Sequence, residues 1–300
     1  MVRIQEFNHT ALSVSDMDKS LAFYRDYLGL KVRSDKERAG ELYDRLYGAE
    51  GVQLRSVLLE TEPPREPTKR LLELIQWHFP PGRPFSMDAC DQAFTWIGIP
   101  IRGLDTLYAN QPSSLYHRFL SPPLRRSPTH VVAFCRDPDG TFVELTNNNH
   151  LNINTIDQER VFAFYRDTLG LNPATASPGP PGPPEPPEER QKALMTWFSL
   201  PRPKVDFWFL FADTQLEARN GRIDIAKWEY PVGRPLAEPL RLWDIGVKWP
   251  GLVVADLEAV YRELVSQGVS FVSPPVPGPS WKACICRDPE GNFVELVQRL

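Results

Sequence analysis

The first thirty residues pass from an alternating pattern of apolar and polar positions to a helical one. Ala11, Leu12 and Val14 alternate as the residues of a strand do. Apolar positions then recur three or four residues apart, at Met17, Leu21, Tyr24 and Leu28. Ser15 or Asp16 can cap a helix here, and Gly29 is a typical stop after its last turn. The segment therefore predicts a strand followed by a helix.

Short strands are predicted after this helix, at 30–33, 52–59 and 71–77. The pattern restarts at Trp96 with a strand and a helical segment, and it ends with paired strands at 131–135 and 141–145. The Asp-Pro-Asp-Gly sequence between the paired strands favours a tight hairpin turn. Residues 41–48 could form a short helix that closes over a site as a lid, and the alternative is a mobile surface excursion. This order gives two β-α-β-β-β units, so we predict an α+β fold.

The same order of elements occurs twice, because the chain contains a tandem repeat. HTALSVSDMDKSLAFYRDYLGL at 9–30 matches HLNINTIDQERVFAFYRDTLGL at 150–171, and CRDPDGTFVEL at 135–145 matches CRDPEGNFVEL at 286–296. A weaker match relates 96–108 to 249–261. We predict two modules of one fold, residues 1–148 and 149–300, with four β-α-β-β-β units in all.

The second module is longer because it contains a proline-rich segment, SPGPPGPPEPPEER at 177–190. Proline at this density is incompatible with a helix or a central strand. The segment is therefore predicted to be a disordered loop that projects into solvent.

Composition narrows the classes of partner. Of the 300 residues, 42% are hydrophobic and 24% charged, and the net charge of −4 gives no support to a nucleic-acid or membrane partner. The N-terminus lacks a secretory signal pattern, and no run of about 18 apolar residues occurs, so a cytoplasmic protein with a small-molecule partner is expected. The four cysteines form no CxxC pair and are predicted to be buried thiols.

The repeated motifs resemble those of the vicinal oxygen chelate superfamily. The resemblance is carried by the histidine that opens each copy, the AFYRDxLGL helix end, the Leu-Glu-Leu strand at 72–74 and the terminal DPDGxxxEL hairpin. The family includes glyoxalase I, extradiol dioxygenases, methylmalonyl-CoA epimerase and bleomycin or fosfomycin resistance proteins. The resemblance implies paired units that curve into a cup around a divalent metal. It leaves the reaction open, because one fold serves lyases, isomerases, oxygenases and binding proteins.

For the first module, the resemblance implies a metal site formed by His9, Glu73 and Glu144. Trp96 stands where the family has a second histidine, and an indole nitrogen cannot ligate a metal. One imidazole and two carboxylates suit Fe(II), Mn(II), Zn(II) or Ni(II) as the cofactor. The alternative is that His9 and Glu144 are ordinary buried polar residues.

For the second module, the resemblance is less complete. His150 and Glu295 match metal ligands, Trp249 replaces the second histidine, and the fourth-strand position falls near Asp206. The first module is therefore the better candidate for chemistry. A site shared between the modules is also possible.

Other side chains have candidate roles near such a site. Trp96 and Trp249 could line a cavity for a flat, aromatic or polyketide-like substrate, although most aromatic residues on strands belong to a core. His130 and Glu144 are candidates for acid–base catalysis, against the alternative of a surface histidine and a structural acid.

Three hypotheses for function follow. The leading hypothesis is a metal-dependent lyase, isomerase or dioxygenase that chelates vicinal oxygens of a small substrate. The alternatives are a metal-free binding protein and a metal-free enzyme in which His9 and Glu144 form an acid–base pair. The chain is expected to be a monomer or a homodimer, since the duplication could supply within one chain the pairing of two modules.

Overall fold

A computed structural model of the chain describes residues 2, 4–61, 70–84, 88–111, 118–127, 130–147, 149–173, 187–212 and 221–300. The first unit contains β1 (Glu6–Ser13), α1 (Met17–Leu21), β2 (Lys31–Ala39), α2 (Glu41–Tyr47), β3 (Gln53–Thr61) and β4 (Arg70–Phe79). The second contains β5 (Ala93–Pro100), α3 (Leu104–Ala109), β6 (Arg118–Phe119), β7 (Leu124–Ser127), β8 (His130–Arg136) and β9 (Phe142–Thr146).

The second module repeats this order. The third unit contains β10 (His150–Asn154), α4 (Gln158–Ala163), β11 (Asn172–Pro173), α5 (Pro187–Phe198), β12 (Lys204–Phe211) and β13 (Arg222–Tyr230). The fourth contains β14 (Gly246–Val253), α6 (Leu257–Ser266), β15 (Val276–Pro277), β16 (Trp281–Arg287) and β17 (Phe293–Arg299). The predicted α+β fold of four β-α-β-β-β units is confirmed.

The four units form two sheets, and each sheet combines one unit from each module. The first sheet has the order β15-β16-β17-β14-β1-β4-β3-β2, which joins the fourth unit to the first. The second has the order β11-β12-β13-β10-β5-β9-β8-β6, with β7 paired to β8, which joins the third unit to the second. Antiparallel pairs at the centres, β1 with β14 and β5 with β10, connect the modules. Neither sheet therefore belongs to one module alone.

The predicted first helix is present, but its second half differs in type. The side chain of Asp16 caps α1 by accepting a hydrogen bond from the backbone N–H of Lys19. The helix continues as a π-helical segment, Ala22–Tyr27, and Gly29 ends it with φ of +80°. Apolar spacing alone does not distinguish α from π turns, because both bury the same side of the segment.

A buried hydrogen bond inside each module connects one sheet to the other. In the first module the hydroxyl of Tyr24, which follows α1, donates to the carboxylate of Asp137 in the β8–β9 turn at 3.0 Å. In the second module Tyr165 donates to Asp288 at 3.4 Å. Asp137 also accepts from the backbone N–H groups of Asp139 and Thr141. The two strongest repeated motifs therefore hold the two units of a module together across the central core.

The prediction of a disordered loop at 177–190 can be compared with the structure only at 187–190, and there it is wrong. Residues 177–186 lie outside the described residues. Residues 187–190, which we expected to continue the disordered loop, instead begin α5. A proline is compatible with this position because the first turn of a helix has no internal partner for its N–H.

Two further expectations can be compared with the described residues. All four cysteines are free and buried, as predicted. No helix in the described ranges is long and apolar enough to cross a membrane.

Replacement of Tyr24 tests the bond between the sheets. Tyr24→Phe leaves the buried carboxylate of Asp137 without one donor, so we expect a loss of about 1–3 kcal/mol in the free energy of unfolding. Tyr165→Phe is the matched variant and should cost less, because its hydrogen bond is longer. Urea denaturation of both variants measures the difference. Equal losses of stability in the two variants, or a larger loss for Tyr165→Phe, would contradict the stronger hydrogen bond of Tyr24.

Candidate active site

The first candidate site lies on the first sheet and consists of His9, Glu73 and Glu295. His9 is on β1, Glu73 on the neighbouring β4, and Glu295 on β17. The Nε2 atom of His9 is 3.1 Å from Oε2 of Glu295 and 3.4 Å from Oε2 of Glu73. It is buried, and neither contact is aligned as a hydrogen bond. Two carboxylates from different modules thus converge on one imidazole nitrogen.

Hydrogen bonds hold the donors of this first site in place. The hydroxyl of Ser56 donates to Oε1 of Glu73 at 2.5 Å, and the amide nitrogen of Asn8 lies 3.1 Å from Nδ1 of His9. Burial by itself lowers the pKa of His9, but the adjacent carboxylates of Glu295 and Glu73 outweigh burial and raise this pKa. The site therefore favours positive charge at the position of Nε2.

The second candidate site lies on the second sheet and consists of His150, Glu144 and Asp224. Nε2 of His150 is 3.0 Å from Oε2 of Glu144 and 3.9 Å from Oδ2 of Asp224. Burial by itself raises the pKa of Glu144, but His150 and the nearby guanidinium groups lower it to about 2. The two sites are equivalent in position, because each combines residues of both modules in the same register.

The grouping predicted from the first module is wrong in one member. Glu144 is not beside His9 and Glu73; it belongs to the second sheet with His150, and Glu295 takes its place in the first site. The reason is the central strand pairing, which brings β17 of the second module beside the first unit through β14. The alternative of sites shared between modules describes the arrangement.

The fourth-strand position of the second module is Asp224, and the assignment near Asp206 is wrong. Asp206 is on β12 and is exposed. Glu73 lies two residues beyond the partner of His9 on β4, and Asp224 lies two beyond the partner of His150 on β13. A sequence signal for this existed, since LELIQWHFPPGRP at 72–84 aligns with IDIAKWEYPVGRP at 223–235.

A glycine in each site makes room for the histidine, and sequence reasoning missed it. A Cβ atom at Gly251 would collide with the imidazole of His9, and one at Gly98 would collide with that of His150. Each glycine follows a tryptophan by two residues, in Trp96-x-Gly98 and Trp249-x-Gly251. The repeated Trp-x-Gly pattern was the available signal, since a glycine in a strand often marks a close approach.

The first site opens into a cavity of about 480 Å³. Helix α2, the candidate lid, contributes Tyr43 and Tyr47 to the wall of this cavity. Trp281 of β16 and Val297 of β17 also line it. The guanidinium of Arg38 also lines the cavity; its Nη1 donates to the Tyr43 hydroxyl at 2.8 Å. The cavity therefore combines aromatic walls with a charged base.

The corresponding face of the second sheet is filled with aromatic side chains. Helix α5 supplies Trp197 and Phe198, whose rings lie 4.7 and 5.3 Å from that of Phe134. Phe198 also contacts the rings of Trp96 and Trp228. The cluster is the counterpart of the buried side chains around Tyr47, Trp77 and Trp249 on the first sheet, and it is richer in aromatic rings.

The predicted cavity role of the two tryptophans does not match their positions. Trp249 is fully buried, and its ring lies 6.1 Å from that of Tyr47, which is the residue that lines the cavity. Trp96 is buried in the aromatic cluster of the second sheet. Each indole ring buries a large apolar area by packing into a core, which favours the interior over the cavity wall.

His130 lies near the second site rather than the first. Its Nε2 atom is 3.1 Å from the hydroxyl of Thr146, and burial together with Arg126 lowers its pKa to about 4. His130 is therefore neutral at pH 7 and carries no proton to donate as an imidazolium. Glu144, the other candidate for acid–base catalysis, is paired with His150.

The donors of the first site suit a divalent cation in chemistry, although they do not surround a common centre as they stand. Within the described ranges, no group of three or more His, Cys, Asp or Glu side chains forms a closed metal site. The Nε2 atom of His9, which has no hydrogen-bond partner, and the two carboxylates directed at it nevertheless match in chemistry a cation bound by one nitrogen and two carboxylates.

The chain belongs to the Glyoxalase/Bleomycin resistance protein/Dioxygenase superfamily. The family model matches residues 6–145 and again residues 148–296. A search of curated proteins found no match.

Solved structures agree with this fold. Glyoxalase I from Zea mays is 18% identical, covers 99% of this chain and 92% of its own, and superposes with a TM-score of 0.63. A Bacillus subtilis protein, provisionally described as a dioxygenase, is 11% identical, covers 100% of this chain and 86% of its own, and gives a TM-score of 0.60. At these identities the likeness shows the fold alone.

The close approach of Gly251 to His9 can be tested with a double-mutant cycle. Gly251→Ala should reduce the free energy of unfolding by about 1–3 kcal/mol, because the added methyl overpacks the site. In a His9→Ala background the same change should cost close to nothing, because the colliding ring is absent. Chemical denaturation of the four proteins gives the coupling. Equal costs of Gly251→Ala in both backgrounds would disprove the contact.

The pair of Glu144 with His150 predicts acid sensitivity. The pKa of Glu144 is lowered in the folded protein, so its stabilising contribution is present above the unfolded value of 4.5 and is lost as pH falls towards about 2. Glu144→Gln should flatten the loss of stability between pH 5 and pH 2 by an amount on the order of 1–3 kcal/mol. Asp206→Asn, which removes an exposed carboxyl, is the control. An unchanged pH profile for Glu144→Gln would count against the pair.

Proposed function

We propose that the first site is the working site of a metal-dependent enzyme of this superfamily. The observation that carries this proposal is that His9, Glu73 and Glu295 converge at the base of an open cavity. His9, Glu73 and Glu295 would hold Fe(II), Mn(II), Zn(II) or Ni(II). Such a cation supplies Lewis acidity toward vicinal oxygens of a substrate, in isomerase, lyase or dioxygenase chemistry.

The cavity walls favour a small oxygenated substrate with a flat apolar part. Tyr43, Tyr47 and Trp281 offer ring surfaces on which such a substrate can pack. The guanidinium of Arg38 lies 5.5 Å over the ring of Tyr43, and the negative charge of Glu73 attracts it. It would stabilise negative charge that develops on a substrate oxygen. Substrates of this class are aromatic or polyketide-like molecules with adjacent oxygens.

One observation favours a second candidate, a metal-free acid–base enzyme. The amide of Asn8 donates to Nδ1 of His9, which places the proton of a neutral imidazole on Nε2, between the two carboxylates. His9 would then exchange protons with the substrate, with Glu295 rather than Glu144 as its partner. A binding protein that uses the cavity without chemistry is the third outcome of the test below.

Metal content separates these candidates. Protein purified without an affinity tag should hold close to one equivalent of divalent metal, and Glu73→Gln or Glu295→Gln should lose it because each removes a charged ligand. Glu144→Gln is the matched control and should retain the metal, since Glu144 lies at the other site. Elemental analysis gives the stoichiometry.

Activity and binding assays then assign the metal-free outcomes. Wild-type protein without metal would overturn the leading proposal. In that case, activity that survives chelators and is lost in His9→Gln would support the acid–base enzyme. Ligand-dependent quenching of tryptophan fluorescence without turnover would support the binding protein.

A further inference from the structure

One register position distinguishes the two sites. On β4, Leu71 pairs with His9; on β13, Arg222 pairs with His150. Paired residues of neighbouring strands point to the same face of the sheet, so Leu71 and Arg222 stand at equivalent places beside the two histidines. The first site has an aliphatic side chain there, and the second has a guanidinium.

Arg222 is engaged directly with the acidic part of the second site. Its Nε and Nη2 atoms donate to the two carboxylate oxygens of Asp224 at 2.5 and 2.9 Å, in a bidentate pair. Its guanidinium lies 4.9 Å over the ring of Phe209. Burial by itself lowers the pKa of Arg222, but the carboxylates of Asp224 and Glu144 raise it, so the group is a permanent cation.

The positive groups that face the buried carboxylates therefore differ between the two sites. In the second site the carboxylates of Glu144 and Asp224 face His150 and a covalently attached positive charge. In the first site the ion pairs found for Glu73 and Glu295 within the described residues are with His9 alone. Arg38 acts on Glu73 through its charge, but its hydrogen bond is to Tyr43, and no ion pair in the described part of the chain joins it to either carboxylate. The first site therefore lacks the direct guanidinium–carboxylate pair of the second and can accept a further positive charge.

We propose that Arg222 is the built-in cation of the second site, and that the residue at this register position decides which site can take a divalent cation. The second site then serves as a structural copy whose charge is balanced without an external ion. For the first site the inference rests on the proposed metal-dependent function; for the second it stands on Arg222 and its contacts.

A second observation indicates that the second site would accept a cation without Arg222. Asn152 is fully buried, and its Oδ1 atom has no hydrogen-bond partner. It lies opposite Asp224 in the pairing of β10 with β13, and two residues beyond His150 on the same face. An unpartnered amide oxygen beside two carboxylates and an imidazole is a donor set that Mn²⁺ accepts.

The test counts Mn²⁺ ions bound per chain, with the metal-free protein titrated by Mn²⁺ and the free ion followed by electron paramagnetic resonance. Arg222→Leu, which installs the residue of the first site, should bind one more Mn²⁺ than wild type. It should also show a larger Mn²⁺-dependent rise in Tm, because the ion binds only the folded chain. Arg222→Gln, which keeps some polarity, should behave in the same way.

Matched variants separate charge from shape. Arg222→Lys keeps the cation and should match wild type. The double variant Arg222→Leu/Asp224→Asn lacks the carboxylate and should gain no ion. The reciprocal change, Leu71→Arg, brings a guanidinium to the first site and should remove the ion that wild type binds there.

The outcomes for the two proposals are distinguishable. Wild-type stoichiometry reports the proposed function of the first site, while the difference between Arg222→Leu and wild type reports the inference. Folded Arg222→Leu and Arg222→Gln with no extra Mn²⁺ would overturn it. Failure of both variants to fold even with Mn²⁺ present would also overturn it, because the ion should replace the missing charge.

Discussion

The antiparallel pairing of β1 with β14, and of β5 with β10, is the constraint on which both sites depend. It places His9 directly opposite Gly251, and His150 directly opposite Gly98, so that each imidazole lies over a glycine of the other module. Through β14 and β5 it also brings the terminal glutamate of one module beside the first-strand histidine of the other. Each site thus takes residues from both modules, so neither module assembles a site by itself.

The buried carboxylates of each site also require nearby positive charge. Each site buries two carboxylates near one imidazole, and like charges at this separation disfavour ionisation unless positive charge balances them. In the second site Arg222 forms a bidentate pair with Asp224, and aromatic rings from α5 pack against the same sheet. The first site keeps an open cavity and an imidazole with raised pKa. One arrangement of strands therefore supports two sites that differ in their charged neighbours and in the length of the helix that covers each sheet.

The helices that cover the sites show how this difference is built. Both α2 and α5 precede the third strand of their unit, but α2 runs over Glu41–Tyr47 and α5 over Pro187–Phe198. The shorter helix places Tyr43 and Tyr47 at the wall of a cavity. The longer one packs Trp197 and Phe198 against the rings of Phe134 and Trp96 on the second sheet.

The sequence by itself determined the repeat, the order of elements, the family and most of the polar residues of the sites, because these follow from local periodicity and from motifs that lie within one segment. His9, Glu73, His150 and Glu295 were all visible in this way. Only the tertiary structure decided which of them meet, since strand pairing across modules joins residues nearly three hundred positions apart and no local pattern encodes it. It also decided that Trp96 and Trp249 are buried and that Trp197 and Phe198 of α5 pack among the rings of the second sheet. Register, close approach and filled volume are properties of packed neighbours, and a chain read one segment at a time does not contain them.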